Sequence, residues 1–142
     1  PKLGLMDFKE SQNFKIEPAS LKEVRVFARE IFKRSSVFEK DTDDLVLALA
    51  EAAQNIVKHG YGNQPTSDEM KIVIKFVDNV LSMELMDKGK PVVPSNIKPR
   101  DLDDIKAGGL GTFFIGQIMD EVVFKTTKIN WVNHLILTKS FN

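Results

Sequence analysis

Glu51, Asn55 and His59 follow the spacing E-x-x-x-N-x-x-x-H near the middle of the chain. On a helix that spacing sets a carboxylate, an amide and an imidazole one turn apart along a single stripe. A carboxylate and an amide so placed can serve a metal ion or an attacking hydroxyl. The same stripe can also be a plain solvated face. Against that plain reading, Asn is a poor residue for a helix interior, and the stripe lacks the long Glu and Lys side chains that usually cover an exposed face. Lys58 stands between a surface charge and a phosphate contact. His59 stands between a site residue and a partner for the helix C-terminal dipole.

Two glycine-containing stretches lie downstream. Asp87-Lys88-Gly89 follows an apolar, alternating segment, and Gly108-Gly109-Leu110-Gly111 precedes another apolar segment. An Asp at the end of a strand can be a cap, or it can accept a hydrogen bond from an exocyclic amine. A Gly cluster that opens a helix can be a tight turn. It can also cradle phosphate, because Gly lets backbone N–H groups reach an anion where the helix dipole already favours one. The pattern G-x-x-x-x-G-K-[ST] is absent, and no strand runs directly into G-x-G-x-x-G.

The elements that must hold these residues are legible from periodicity. Leu45 to Tyr61 reads as a helix with Leu45, Leu49, Ala52, Ala53 and Ile56 on its apolar side, capped by Asp41 to Asp44 and closed at Gly60. Before it, Asn13 to Pro18 reads as a strand. Ser20 opens a capping box with Glu23, and the helix that follows runs to about Lys33. After it, Met70 to Val77 and Val80 to Met86 form a hairpin around Asp78-Asn79. Lys88 to Gly111 lacks regular patterning and reads as a lid, with a short helical turn expected around Pro99 to Ile105. Thr112 to Met119 is a short buried helix, and Glu121 to Thr127 pairs with Trp131 to Thr138. Trp131 reads as packing, and His134 as a half-buried residue with a hydrogen bond. The order predicts an α/β (α+β) two-layer sandwich: a mixed, mostly antiparallel sheet with helices on one face.

Bulk properties exclude several classes. The 142 residues suit one domain, and 20 basic residues balance 20 acidic ones, so nucleic-acid binding by phosphate neutralisation is not expected. The chain has no cysteine, which excludes disulfides and thiolate chemistry. No apolar run is long enough for a membrane span, and the first residues lack a signal-peptide pattern, so a cytoplasmic protein is expected.

The order and spacing of the three motifs carry more than any one of them. E-x-x-x-N on a helix, D-x-G after a strand, a lid, and G-x-G opening a helix resemble the GHKL ATPase superfamily, whose nucleotide-binding domain is the Bergerat fold. Within it, AEAAQNIVKHGYGN and GGLGTFFIGQIMDEV look most like the anti-sigma-factor serine/threonine kinases of the RsbW and SpoIIAB type. Their motif E-A-x-x-N-x-x-x-H-x-Y is matched at Glu51, Ala52, Asn55, His59 and Tyr61. The resemblance implies ATP and Mg²⁺ as cofactors, with Asn55 as the metal ligand and Glu51 orienting or deprotonating the attacking hydroxyl. Asp87 would accept the adenine amino group, and Gly89 would let the backbone approach the base. Gly108, Gly109, Leu110 and Gly111 would hold the phosphates.

The resemblance also implies partners: an anti-sigma-factor antagonist of the STAS type as phosphate acceptor, a sigma factor or other regulatory protein as target, and a second copy in a homodimer. No phospho-accepting histidine domain precedes this one, so a complete sensor kinase is not expected. The chain departs from its relatives in three places. Pro91 stands where a second glycine is common. Ala107 stands where some relatives carry Arg, with Lys106 and Arg100 nearby. Asn133 and His134 stand near the Thr that often touches the adenine pocket. The first two departures motivate an alternative: a non-catalytic ATP-binding module that switches partners by nucleotide occupancy.

Overall fold

The structure, a computed structural model, describes residues 7–91, 109–126 and 130–142. Its elements are β1 (Phe8–Lys15), α1 (Ser20–Phe32), α2 (Thr42–Asn55), β2 (Glu69–Val77), β3 (Val80–Asp87), α3 (Gly109–Ile118), β4 (Glu121–Thr126) and β5 (Asn133–Ser140). A 3₁₀ turn at Ser36–Phe38 precedes α2, and a π-helical segment at Ile56–Gly60 continues it. The strands form one five-stranded sheet in the order β1-β2-β3-β5-β4. The four pairings are all antiparallel, so the described sheet holds no parallel pair.

Alternation along the strands decides which face is covered. Met70, Ile72, Ile74 and Phe76 of β2 all point to one side and are buried there with Leu81, Met83 and Leu85 of β3 and Leu135 and Leu137 of β5. The apolar stripes of α1 (Val24, Ala28, Ile31, Phe32) and α2 (Leu45, Leu49, Ala52, Ala53) join this core, and α3 packs against α2. The result is a two-layer sandwich with the helices on one face. Lys75, Glu84 and His134 lie on the other face, where Glu84 meets His134 Nε2 at 2.7 Å and Lys75 Nζ at 3.3 Å. His134 therefore takes the half-buried, hydrogen-bonded position its alternation predicts.

One end of the sandwich is closed by aromatic side chains. Phe38, carried by the 3₁₀ turn, meets Phe76 at 5.0 Å and Phe141 at 5.3 Å in edge-on geometry. Such pairs add about 0.5–1.5 kcal/mol each beyond burial alone. The β2–β3 turn at this end is Asp78-Asn79, with φ of 53° and 65°, the left-handed pair a two-residue hairpin requires. The opposite end, where β3 finishes at Asp87 and β5 begins at Asn133, is left to the candidate site.

Three expected caps form differently, and at the start of α2 Asp41 takes the cap position with no side-chain bond. Ser20 is the first helical residue of α1 and is buried, while Ala19 takes the cap position with no side-chain bond. Pro18 and Ala19 already turn, so the Ser20 and Leu21 N–H groups donate to the Glu17 and Pro18 carbonyls at 3.1 and 3.2 Å. The Ser20–Glu23 capping box is thereby unnecessary. Gly60 does not close α2 in the left-handed region; Gly62 and Asn63 do, with φ of 57° and 58°. The π segment delays the end, and the chain closes when Asn63 N–H donates to the Val57 carbonyl at 3.0 Å.

Candidate functional site

The site is built where the C-terminal end of α2 meets the turn after β3. Apolar residues on three sides of α2 anchor it in the core, which fixes its axis. At Ile56 the helix changes from α to π. A π turn holds one residue more than an α turn, so His59 no longer repeats the Glu51–Asn55 spacing; such segments occur often at functional sites. Glu51 and Asn55 are half-buried, while Lys58 and His59 are exposed. With the Gln54 amide turned so that its nitrogen donates to Glu51 Oε2 at 3.2 Å, its oxygen accepts from Lys58 Nζ at 3.1 Å. The structure thus ties Lys58 to Glu51 through Gln54, a residue without a role in the sequence reading.

Asp87 ends β3 and is only 4% exposed. Its Oδ1 accepts hydrogen bonds from Gly89 N–H at 2.8 Å and Asn133 Nδ2 at 3.1 Å. Its Oδ2 accepts none among the described residues. Burial pushes the Asp87 carboxyl above the usual carboxylate range, Asn133 and Gly89 partly offset this, and the Asp68 charge adds to the rise. A buried acceptor with one oxygen committed and one open is suited to a neutral N–H donor. Asn133 also donates to the Lys90 carbonyl at 2.8 Å, so its amide clamps both ends of the turn.

Gly89 is where the two halves touch. A Cβ there would lie 2.8 Å from Tyr61 Cε1, 2.9 Å from the Gly60 carbonyl and 3.0 Å from Asp87 Oδ1. No side chain fits without displacing its surroundings. The Gly89 requirement is therefore close approach, not an unusual φ. Lys90 N–H reaches the Gly60 carbonyl at 3.4 Å, and Tyr61 Oη lies 3.2 Å from Lys88 N and 2.8 Å from Asp68 Oδ2. Lys88 Nζ sits over the Trp131 ring, 5.6 Å from its centroid. Trp131, read from sequence as packing, thus stands beside the turn. Tyr61 was legible only as part of the Asn55 motif, and Asp68 gave no signal, since it belongs to a loop defined by composition.

The glycine-rich stretch is placed in part. Gly109, Leu110 and Gly111 are the first residues of α3, so they belong to a helix rather than to the end of a lid. Their N–H groups are those a helix start leaves without intrahelical partners. Gly108, the lid from 92 to 108 with the turn expected at Pro99–Ile105, and the cations Arg100 and Lys106 lie outside the described residues. No group of three or more His, Asp or Glu side chains that could hold a metal occurs among the described residues. The amide oxygen of Asn55 is a hard donor of the kind Mg²⁺ takes, with water and phosphate oxygens supplying most of its other ligands.

Comparison with known proteins places the chain in a family. Residues 14–139 match the histidine kinase-like ATPase domain family. Two curated relatives, both serine-protein kinase RsbW from strains of Staphylococcus aureus, are 31% identical over 115 residues, covering 75% of this chain and 72% of theirs. A crystal structure of the SiaB–SiaC complex from Pseudomonas aeruginosa shares the fold, with a TM-score of 0.60, 14% identity, and coverage of 92% of this chain and 87% of that one. A buried strand-end carboxylate over a glycine that admits no side chain, set against a helix bearing Glu51 and Asn55, is thus found in a chain that belongs to the histidine kinase-like ATPase domain family.

Proposed function

We propose that this chain is a Mg·ATP-dependent serine/threonine kinase that phosphorylates a protein antagonist and, through partner switching, sequesters a sigma factor. The observation that carries the nucleotide reading is buried Asp87 beside Gly89, with an Oδ2 that accepts no hydrogen bond among the described residues. Adenine presents an exocyclic N–H donor to such an acceptor, whereas guanine presents a carbonyl oxygen, which a buried carboxylate repels. Family membership and the RsbW relatives support the kinase reading.

Each residue has one task. Asp87 accepts the adenine amine, and Gly89 leaves room for the base. Gly109 and Gly111, with Gly108 before them, offer backbone N–H groups to phosphate. Asn55 would hold Mg²⁺ through its amide oxygen, and the metal, when bound, would supply charge neutralisation for the transferred phosphate. Glu51 orients the acceptor hydroxyl and takes its proton. The serine oxygen then bonds to the γ-phosphorus as the bond to the β–γ bridging oxygen breaks, releasing ADP. Positioning does most of the work in such a reaction.

The acceptor in this reading is a STAS-type antagonist, the protein works as a homodimer, and it acts in the cytoplasm. No described helix is long and apolar enough to cross a membrane. Mass spectrometry of an antagonist incubated with Mg·ATP and this protein tests the reading. It predicts a phosphoserine or phosphothreonine with wild type and none with Glu51→Ala, while Glu51→Ala still binds ATP. Intact ATP binding without phosphorylation by wild type would contradict it and leave a nucleotide-switched binding module.

A further inference from the structure

The turn that reads the base is held residue by residue. Asp87 is gripped by Asn133 Nδ2 and, at its carbonyl, by Val132 N–H at 2.9 Å. Gly89 is bonded to Asp87, and Lys90 is bonded to Asn133 and the Gly60 carbonyl. Lys88 is the residue between them, and its N–H donates to a single side chain, the Tyr61 hydroxyl, at 3.2 Å. That hydroxyl donates in turn to Asp68 Oδ2 at 2.8 Å. The proton has one possible arrangement. The Lys88 backbone N–H can only donate, so the phenol oxygen accepts from it and the phenol's own proton goes to Asp68.

We propose that Tyr61, anchored by Asp68, is a positioning residue that locks the Asp87–Gly89 turn in its base-reading shape and thereby sets affinity and selectivity for adenine nucleotides. The proposal rests on the reading of Asp87 as the adenine acceptor. Its geometry has two parts. The hydroxyl pins Lys88, and the ring edge lies against Gly89, where Cε1 would stand 2.8 Å from an added Cβ. Tyr61 is the residue directly after the π segment, so the same backbone that ends α2 aims this ring at the turn. The loop containing Asp68 supplies the counterweight. Burial, then the Asp68 hydrogen bond and charge, push the Tyr61 phenol well above its usual range.

The variants separate latch from packing. Tyr61→Phe keeps the ring and removes both bonds. Asp68→Ala removes the anchor, whereas Asp68→Asn retains a carbonyl oxygen that accepts from the phenol. Two readouts are used: amide hydrogen exchange at Lys88 and Gly89 in the nucleotide-free protein, and ATP, ADP and GTP titrations followed by the fluorescence of Trp131, the single tryptophan of the chain. The proposal expects roughly 3- to 10-fold faster exchange and a roughly 3- to 10-fold higher Kd for ATP in Tyr61→Phe and Asp68→Ala, the size of one hydrogen bond. The two variants should not add. Asp68→Asn should match wild type, the ATP-over-GTP preference should fall, and the ATP-to-ADP ratio should hold. Unchanged exchange and affinity in Tyr61→Phe would overturn the proposal. A wild type that binds no ATP would overturn the adenine reading, and with it the affinity half, while the exchange rates still decide the latch.

Discussion

Gly89→Ala is the substitution whose consequence the structure fixes most tightly. The new Cβ would lie 2.9 Å from the Gly60 carbonyl oxygen and 3.0 Å from Asp87 Oδ1. Ordinary carbon–oxygen contact begins near 3.4 Å, so the turn must retreat by about 0.5 Å from the first and about 0.4 Å from the second. The Tyr61 ring, at 2.8 Å, can swing, but its hydroxyl is tied to Lys88 and Asp68. The carbonyl is backbone and cannot swing. Overpacking of this kind costs about 1–3 kcal/mol. In a domain of this size that lowers Tm by roughly 4–12 °C. The retreat also moves the Gly89 N–H that orients Asp87, so a loss of about 1.4–2.8 kcal/mol in base recognition is expected, a 10- to 100-fold rise in the Kd for ATP. Scanning calorimetry reads the first effect and titration calorimetry the second. A Tm within about 1 °C of wild type together with unchanged ATP affinity would refute the close approach.

Three further outcomes follow from the same geometry. Asp87→Asn keeps an oxygen for Gly89 and Asn133 but carries no charge. Because the Asp87 carboxyl is raised on folding, its stability contribution is full below the unfolded pKa and is lost as pH rises through the folded value, so Asp87→Asn should melt at or above wild type near neutral pH and lose that advantage in acid. Glu84 has the opposite sign. Burial would raise its carboxyl, but the hydrogen bonds and charges of His134 and Lys75 hold it below the usual range, so its contribution is present above the unfolded pKa and is lost as pH falls through the folded one. Glu84→Gln should then cost roughly 1 kcal/mol at neutral pH and little in acid, read from denaturant melts at the two pH values. Gly60→Ala should be tolerated, since its Cβ finds nothing nearer than 3.9 Å, whereas Gly62→Ala, at φ +57°, should cost about 1 kcal/mol in the same melts.

The hairpin at Asp78-Asn79, the apolar stripe of α2 and the alternation of β2 were legible because each follows from local periodicity or turn chemistry. The sandwich architecture followed from their order. Motif positions Glu51, Asn55, Asp87 and Gly89 were legible as residue types at a spacing. The contact between the helix end and the turn, through Gly60, Tyr61 and Gly89, was not legible, because it is a tertiary contact, and neither was the partner of Asp87, because it depends on where β5 lies. Only the pairing of Asp87 with Asn133 brings the amide to the carboxylate. The π segment also escaped sequence reading, since nothing in the periodicity of IVKHG separates an α turn from a π turn. Ser20 was misread as a cap because a capping-box pattern cannot show that Pro18-Ala19 already supplies the bonds.

Titration calorimetry of ATP, with and without Mg²⁺, on wild type and Asp87→Asn asks whether Asp87 holds the adenine base. Mg-dependent binding by wild type, weaker binding of GTP, and loss of binding in a folded Asp87→Asn are expected. Absence of binding at millimolar ATP, or equal binding by Asp87→Asn, would contradict that role.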